Sequence, residues 1–234
     1  MKNPAAGGGR WVDVPPERLV SWIVTFTHRH GPGSVSGDTD GATVTFTAAD
    51  AAVAECHPPF PPLRWPGRAE GDPAAVAAAA AAAIVAHATA DRTVGVLLVR
   101  LGGYAVGVFT GSPPRLVSSK TGHRPVHGRS AAGGWSQHRF ARRRENQAAT
   151  ALQAAADAAA GIFGPYHLDG LVLGGDKRSI AGIRGDPRLA PYLGRSTDRF
   201  LTVPDPRLAI LKEIPRSFLA IRIRLTEPES DSPT

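Results

Sequence analysis

The chain has 234 residues, with 27 lysines and arginines against 20 acids, and it contains a single cysteine. One cysteine, Cys56, excludes an internal disulfide, and no apolar run approaches the about 20 residues that a membrane-spanning helix needs. The N-terminal residues lack the apolar centre of a signal peptide. We therefore expect a protein of the reducing cytoplasm that makes no membrane contact and buries a core of its own.

Residues 1–90 are predicted to form an extension packed on a larger domain. Apolar residues at helical spacing predict an amphipathic helix within 11–30 that begins after Pro15-Pro16, and alternation predicts a strand over 43–47. The proline-rich run 57–66 cannot be regular helix or central strand, because proline lacks the backbone donor that both need. It is either a linker or an extended strap. An aspartate followed by proline predicts a helix from Asp72 to Thr89.

Residues 91–226 are predicted to form the main domain. The predicted strands cover 93–101, 104–110, 115–120, 168–173, 199–203 and 218–225, with a hairpin turn at Gly102-Gly103. A long helix from about Gln137, a partly helical segment over 176–193 and a short helix over 206–211 complete the domain. Strands that first form a meander and later alternate with helices predict an α/β (α+β) fold with a mixed β-sheet flanked by helices. The polar residues 227–234 are predicted to be a disordered tail.

The positive charge of the chain is concentrated in the stretch 120–147. Residues 120–144 hold seven cations and no acid, which equals the formal net charge of +7 of the whole chain. The seven are Lys120, Arg124, Arg129, Arg139, Arg142, Arg143 and Arg144. Such a focused positive field is typical of a surface that binds a polyanion, and a solvated helix face is the alternative.

The same stretch is predicted to begin as a loop and to end as a helix. Gly122, Gly128, Gly133 and Gly134 disfavour regular structure and permit backbone angles that other residues resist. From about Gln137 onward, alanines and larger apolar residues recur at helical spacing and define one apolar stripe. Arginines occupy the opposite face. The pattern therefore predicts a glycine-rich loop that enters a long helix whose first turns present arginines to a negative partner.

The segment Gly133-Gly134-Trp135-Ser136-Gln137, followed by Arg139-Phe-Ala-Arg-Arg-Arg-Glu-Asn146, resembles the glycine-rich catalytic loop of the Vms-like release factors. These are peptidyl-tRNA hydrolases related to the middle domain of the eukaryotic and archaeal class I release factor. The resemblance covers roughly 91–226 and implies a release-factor middle-domain-like fold. It also implies that Gln137 is catalytic and that Gly133 and Gly134 shape its loop. In the class I release factors the glutamine follows the two glycines directly, whereas here Trp135 and Ser136 intervene.

The chemistry that the resemblance implies suits a glutamine. Gln137 has no titratable proton near neutrality, so it can orient a water and donate hydrogen bonds but cannot act as a general base. That suffices for a labile bond such as the ester between a nascent peptide and its tRNA. The implied partners are peptidyl-tRNA and the peptidyl transferase centre of the large ribosomal subunit. The protein is expected to be a monomer that uses no cofactor and no metal. The seven cations and Trp135 would contact RNA.

Two alternatives remain open at this stage. His123, His127 and His138 flank the loop, and a histidine pair can cleave RNA by activating a 2′-hydroxyl and protonating the leaving oxygen. On that interpretation the protein is an endonuclease that cuts the 3′ end of the tRNA. Alternatively, Trp135 stacks on a base and the arginines bind phosphates with no bond broken, as in a non-catalytic ribosome-binding or RNA-binding module.

Two weaker motifs are interpreted as structural. Gly174-Gly175-Asp176-Lys177 follows a predicted strand, but it lacks the spacing of either nucleotide-binding motif, which favours a plain strand-to-helix turn. Cys56 and His57 have no further ligands at metal-binding spacing, so no zinc site is predicted.

Overall fold

The chain folds into two compact units, each with its own β-sheet and its own core. Unit 1 consists of Met1–Ala90 with Arg216–Thr234, and unit 2 is Asp91–Pro215. The computed structural model describes residues 3–5, 8–65, 70–100, 102–123 and 135–228, with only the backbone described for 3–4 and 135–145. Both sheets are flanked by helices, so the predicted mixed α/β fold is confirmed.

Unit 1 contains a six-stranded sheet and two complete helices. Its strands are β1 Asn3–Pro4, β2 Arg10–Val14, β3 Ser34–Gly37, β4 Val44–Thr47, β5 Val53–His57 and β11 Ile221–Thr226, and its helices are α1 Pro16–His30 and α2 Pro73–Ala88. The strand order is β1-β2-β11-β5-β4-β3, and all neighbours are antiparallel. Residues 1–90, expected to be an extension, thus supply five strands of a sheet with its own core.

The last strand of the chain lies in the middle of this first sheet. Ile221, Ile223 and Leu225 alternate along β11, and all three are buried in the core of unit 1. Ile223 lies opposite Val12 of β2 on one side and Cys56 of β5 on the other. The expected domain boundary at residue 226 therefore differs from the structure, because the apolar face of β11 completes the core of unit 1.

Two features of the N-terminal region follow from its prolines. Helix α1 begins at Pro16, which confirms the start that the two prolines predicted, and residues 10–14 ahead of it form β2 and bury Val14 in the core. The proline-rich run is a strap over its described residues: the Leu63 amide donates to the Gly41 carbonyl at 2.7 Å. Leu63 and Trp65 also pack against the core.

Unit 2 contains a five-stranded mixed sheet in the order β10-β9-β6-β7-β8. Its strands are β6 Val94–Arg100, β7 Gly103–Thr110, β8 Arg115–His123, β9 Gly170–Gly175 and β10 Ser196–Leu201, and its helices are α3 Trp135–Phe163, α4 Lys177–Ile183 and α5 Ala190–Leu193. A further helix, α6 Leu208–Leu219, crosses the boundary between the units at Pro215. Strand β7 runs against its neighbours β6 and β8, while β9 is parallel to β6 and β10 is parallel to β9.

Four strands of unit 2 consequently end at the same edge of the sheet. Strands β6, β8, β9 and β10 point in one direction, so Arg100, His123, Gly175 and Leu201 lie along one edge, which we call the carboxyl edge. Phe163, at the end of α3, lies beside Gly95 near the opposite edge. Helix α3 therefore runs from the carboxyl edge towards the amino ends of these strands.

The two faces of this sheet carry different helices. Val106 and Val108 point into the core shared with α3 and α4. Gly107, between them, points to the other face, where a Cβ would lie 2.9 Å from the Leu211 side chain of α6. Side chains alternate between the faces of a strand, so α6 covers the face opposite to α3.

Strand β8 is longer than expected. It runs to His123, so Gly122 belongs to a β-strand and not to the loop in which it was placed. The part of the predicted loop between residues 124 and 134 lies outside the described residues, as do residues 229–234 of the predicted tail. Within the described part of the chain, no helix combines the length and the apolar character that crossing a membrane would require.

Candidate functional site

The segment predicted to be catalytic connects the edge strand β8 to the long helix α3. Strand β8 ends at His123 and α3 begins at Trp135, so residues 124–134 join them. Gly133, Gly134, Arg124 and Arg129 fall on this connection and lie outside the described residues. The predicted order of strand, connection and helix is present in the structure.

The remaining predicted residues of the site lie on the first three turns of α3. Trp135 is the first residue of the helix and Gln137 the third. Arg139, Arg142, Arg143 and Arg144 follow on the same helical backbone. The side chains of all six lie outside the described part of the structure, so their contacts are not assigned.

Two predicted or considered residues have described side chains, and both are exposed. Lys120 lies on β8, the outer strand of the sheet, three residues before His123 ends the strand. Both side chains are open to solvent. Lys120 is therefore available to an external partner at the point where the chain enters the predicted loop.

The long helix is anchored at its C-terminal end. Ala155, Ala159 and Phe163 are fully buried against the sheet, whereas the side chains of 146–150 are exposed or half-buried. Helix α3 has 29 residues and β6 has 7, which correspond to about 43 Å and about 23 Å. The helix is thus about 20 Å longer than β6, and its buried end lies far from Gln137.

An arginine clamp holds the exposed side of α3 to the segment that follows α4. Arg188 donates to Asp157 of α3 at 2.7 Å and to both carboxylate oxygens of Asp186, at 3.0 and 2.6 Å. Hydrogen bonds from Arg188 lower the pKa of Asp157 and of Asp186. Both carboxyl groups therefore remain ionised well below neutral pH, and the clamp persists across the physiological range.

The segment Gly174-Gly175-Asp176-Lys177 is a strand-to-helix turn, as predicted. The Asp176 carboxylate caps α4 by accepting from the Ser179 amide at 2.7 Å and from the Ser179 hydroxyl at 2.8 Å. Gly175 has φ +107°, and a Cβ there would overlap the Val99 carbonyl oxygen. The two glycines thus allow close contact between neighbouring strands, and Asp176 is engaged by its own helix.

The sequence did not single out the cations of α4 as a group. Lys177 and Arg178 are exposed at the start of α4, directly after β9 ends at the carboxyl edge. Arg184, at the end of α4, is also exposed. The signal that could have identified them is a pair of cations directly after a buried strand that ends in two glycines.

Cys56 and His57, the other residues considered as possible ligands, are wholly or partly buried in unit 1. Cys56 is fully buried in unit 1, and burial raises the pKa of its thiol. His57 is half-buried, and its desolvation lowers the pKa of the imidazole. Within the described ranges, no three His, Cys, Asp or Glu side chains form a group that could hold a metal ion.

Unit 1 also has a groove that the sequence did not predict. It lies between α1 and β2 and has a volume of about 430 Å³. Arg18 and Arg29 of α1 line it, together with Trp22, whose ring stacks on Phe26 with 5.8 Å between centroids. The groove and the predicted catalytic segment belong to different units of the chain.

Comparison with solved structures found weak overall likenesses. One is to the crystal structure of the archaeal translation termination factor aRF1, with 12% identity, a TM-score of 0.37, and coverage of 89% of this chain and 66% of that one. Another is to an archaeal protein, with 14% identity, a TM-score of 0.34, and coverage of 87% and 62%. The chain thus spans less than two thirds of the length of either. At these scores neither likeness carries functional information.

A search of curated proteins found no match. A family model, in contrast, matches residues 92–224, more than half of the chain. The matched range runs from the start of β6 into β11, and it includes the connection after β8 and the whole of α3. On this match, the chain belongs to the acVLRF1 family, the VLRF1 release factors of Actinobacteria and Chloroflexi.

Proposed function

We propose that this protein is a peptidyl-tRNA hydrolase that rescues stalled ribosomes by hydrolysing the ester between the nascent chain and its tRNA. The observation that carries the proposal is the family match, which includes the segment with Gly133, Gly134 and Gln137. A release factor acts in translation, and the bond broken in release is this ester. The reaction would take place in the cytoplasm, on the large ribosomal subunit.

Gln137 is the proposed catalytic residue. Its amide can accept from and donate to a water at the same time, and so aim that water at the ester carbonyl. It can also donate to the oxyanion that develops on the carbonyl, and such preorganised donors contribute several kcal/mol in a site that excludes water. Gly133 and Gly134 would let the backbone turn and pass through a narrow RNA-walled cavity.

The anchoring of α3 fits this role. A residue that must reach into another particle needs a rigid support, and Gln137 lies on a helix whose last turns are buried in the core of unit 2. Among the side chains of α3 that the structure describes, from residue 146 onward, Ala155 is the first buried one. It lies 18 positions after Gln137, or about 27 Å along the helix. The clamp from Arg188 to Asp157 restrains the same helix near its buried end.

The basic residues would position the protein on ribosomal RNA. Arg139, Arg142, Arg143 and Arg144 follow Gln137 on α3, and Lys120 is exposed on β8. Arg124 and Arg129 lie on the connection between the two elements. Arginine and lysine bind phosphates in a sequence-independent, salt-dependent manner, which suits a partner of fixed shape such as the ribosome. Trp135 would stack on an RNA base. We expect a monomer that needs no cofactor.

The experiment compares two glutamine variants on stalled ribosome–nascent chain complexes. Gln137→Ala should abolish peptide release while binding to the complexes stays close to that of the wild type, because the side chain acts in the transition state. The matched control is Gln147→Ala, which removes an exposed glutamine from the same helix ten residues later. That variant should release peptide at nearly the wild-type rate.

The readouts are the released peptide, the tRNA and the bound fraction of protein. Equal activity of the Gln137→Ala variant and the wild type would rule out the proposed role of Gln137. Binding without release by the wild type would instead indicate a non-catalytic ribosome-binding module.

A further inference from the structure

Three cations on α4 have no partner among the described residues. Lys177, Arg178 and Arg184 are exposed, and none of them makes a side-chain hydrogen bond or ion pair to any residue of the described ranges. They lie within eight residues of chain. Cations without acidic partners repel one another, which costs stability only where the charges lie close together. Such a cluster can bind phosphate groups.

The neighbouring acids do not neutralise these cations, because each acid already has a partner. Asp176 caps α4 through Ser179. Asp186 and Asp157 are both bound by Arg188. The surface of α4 is therefore positive, although three carboxylates lie close to it in sequence or in space.

The sheet topology places α4 at the same edge as the predicted catalytic segment. Helix α4 begins directly after β9, and the connection to α3 begins directly after β8; both strands end at the carboxyl edge. Strands β6 and β7 lie between them. With a strand spacing of about 4.8 Å, the ends of β9 and β8 are about 14 Å apart. Residues that are more than 50 positions apart in the sequence thus share one edge.

Helix α4 also packs directly on α3. A Cβ on Gly182 would lie 2.7 Å from Leu152 Cδ1 of α3, so the two helices are in close contact there. Arg178 lies four residues before Gly182 and therefore on the same side of α4, one turn nearer the carboxyl edge. Arg178 is consequently on the side of α4 that faces α3, towards the end of α3 that carries Gln137 and the arginines.

We propose that α4 is a second RNA-contacting element, in which Lys177, Arg178 and Arg184 bind the phosphate backbone of ribosomal RNA beside the catalytic segment. This inference rests on the proposed function, because it takes the ribosome as the partner. The occupant is RNA because the exposed side chains of α4 include three cations and none of the large exposed apolar residues. Helix α4 also starts at the carboxyl edge, near which Lys120 is exposed and the backbone of α3 begins. Its role is to dock the protein and not to take part in the chemistry.

The test is a charge reversal with a control of equal charge. In the first variant, Lys177→Glu is combined with Arg178→Glu. In the control, Arg115→Glu is combined with Lys212→Glu, since Arg115 begins β8 at the opposite edge and Lys212 is exposed on α6, on the other face of the sheet. Both variants lose four units of charge. The probe is purified large ribosomal subunits, titrated at several KCl concentrations.

The α4 variant should bind at least tenfold more weakly than the control. The slope of log K against log salt should also fall by about 1.4–1.8, as expected for two lost phosphate contacts. Equal affinities of the two variants would overturn the inference. Weaker binding with an unchanged slope would show that the two cations do not act through phosphate contacts and would overturn the assignment to RNA. If circular dichroism shows the α4 variant to be unfolded, Lys177→Ala with Arg178→Ala replaces it, with the same change of slope expected.

Peptide release separates this inference from the proposed function. At saturating protein the α4 variant should release peptide at the wild-type maximal rate, because only docking is affected. If the wild type binds subunits but releases no peptide, the proposed hydrolase activity fails while the binding comparison still decides the role of α4. If Gln137→Ala abolishes release but the α4 variant binds like the wild type, the hydrolase stands and the role of α4 is rejected.

Discussion

Tyr104 and Gly122 face each other across β7 and β8, and the tyrosine ring fills the space that a side chain on Gly122 would occupy. A Cβ on Gly122 would overlap the ring and lie 2.7 Å from its hydroxyl oxygen. Gly122 is the last residue but one of β8, and only His123 separates it from the connection that leads to Gln137. Only glycine fits at this position, because the Tyr104 ring covers it. The ring thus packs on the end of β8, next to the predicted site.

Replacing this glycine should strain the end of the hairpin. Gly122→Ala should destabilise unit 2 by about 1–3 kcal/mol, because the added methyl group forces the Tyr104 ring from its position. Chemical denaturation measures the change. Tyr104→Ala removes the obstacle, so in the double variant the methyl group should cost less than it does alone. A coupling energy of about 1 kcal/mol or more is expected, and strict additivity of the two changes would contradict the contact.

Gly175 and Gly161 should respond in opposite directions to replacement by alanine. Gly175→Ala should destabilise the protein by at least about 3 kcal/mol, because a side chain at φ +107° is strained and its Cβ overlaps the backbone of Val99. Gly161→Ala should stabilise it by about 0.5–1 kcal/mol, because Gly161 is in α3 with nothing within 4 Å of its Cβ position. Thermal unfolding compares the two, and similar shifts in Tm would refute this assignment.

The sequence predicted the local elements of unit 2 better than the assembly of unit 1. Long apolar strands such as β6 and the capped or periodic helices have local signals, and their existence is confirmed. Strand β3, with the sequence Ser-Val-Ser-Gly, and strand β5, with Val-Ala-Glu-Cys-His, are short and weakly apolar. Their pairing depends on partners far away in the chain. The position of β11 between β2 and β5 is such a non-local fact, since no local pattern in 221–226 indicates which sheet it joins.

The candidate site shows the same division. The order of strand, glycine-rich connection and helix was predictable because glycines, charge and helical periodicity are local properties. The cations of α4 lie at the same edge as the predicted catalytic segment only because β8 and β9 are both parallel to β6. The direction of a strand cannot be predicted from the sequence of either segment alone. The Tyr104–Gly122 pair was missed for a related reason: its two members are 18 residues apart and meet only in the correct register.

The single cysteine should not react with thiol reagents while unit 1 is folded. Cys56 is fully buried, and burial raises the pKa of its thiol, so little thiolate exists at pH 8. We expect 5,5′-dithiobis(2-nitrobenzoic acid) to react with the folded protein only as fast as unit 1 opens, and with the denatured chain at once. The yield in denaturant, one thiol per chain, is the internal control. Rapid stoichiometric labelling of the folded protein at pH 8 would contradict the burial.

The arginine clamp should make stability depend on pH in the acid range. The lowered pKa values of Asp157 and Asp186 mean that the clamp contributes fully above the ordinary aspartate pKa of about 3.9. That contribution is lost as the pH falls through the lower folded-state values. Arg188→Gln should therefore destabilise the protein at pH 7, and the difference from the wild type should shrink as the pH falls below the ordinary aspartate pKa.

The control for the clamp is Arg184→Gln, which removes an exposed arginine with no described partner. Its unfolding free energy should differ from that of the wild type by the same small amount at neutral and at acidic pH. A pH-independent effect of Arg188→Gln would show that the arginine acts through packing and not through its two carboxylates.

The last prediction separates ester hydrolysis from RNA cleavage. His123 is exposed at the end of β8, His138 lies on α3, and His127 lies on the connection outside the described residues. Replacing all three with alanine should slow peptide release less than tenfold, because the glutamine mechanism needs no histidine. The released tRNA should keep an intact 3′-CCA end that accepts an amino acid again, since ester hydrolysis leaves the RNA chain whole. A histidine acid and base would instead give a bell-shaped dependence of rate on pH, a shortened tRNA and a peptide that carries a nucleotide remnant. Those products, together with an inactive triple variant, would reject the hydrolase and establish an endonuclease in its place.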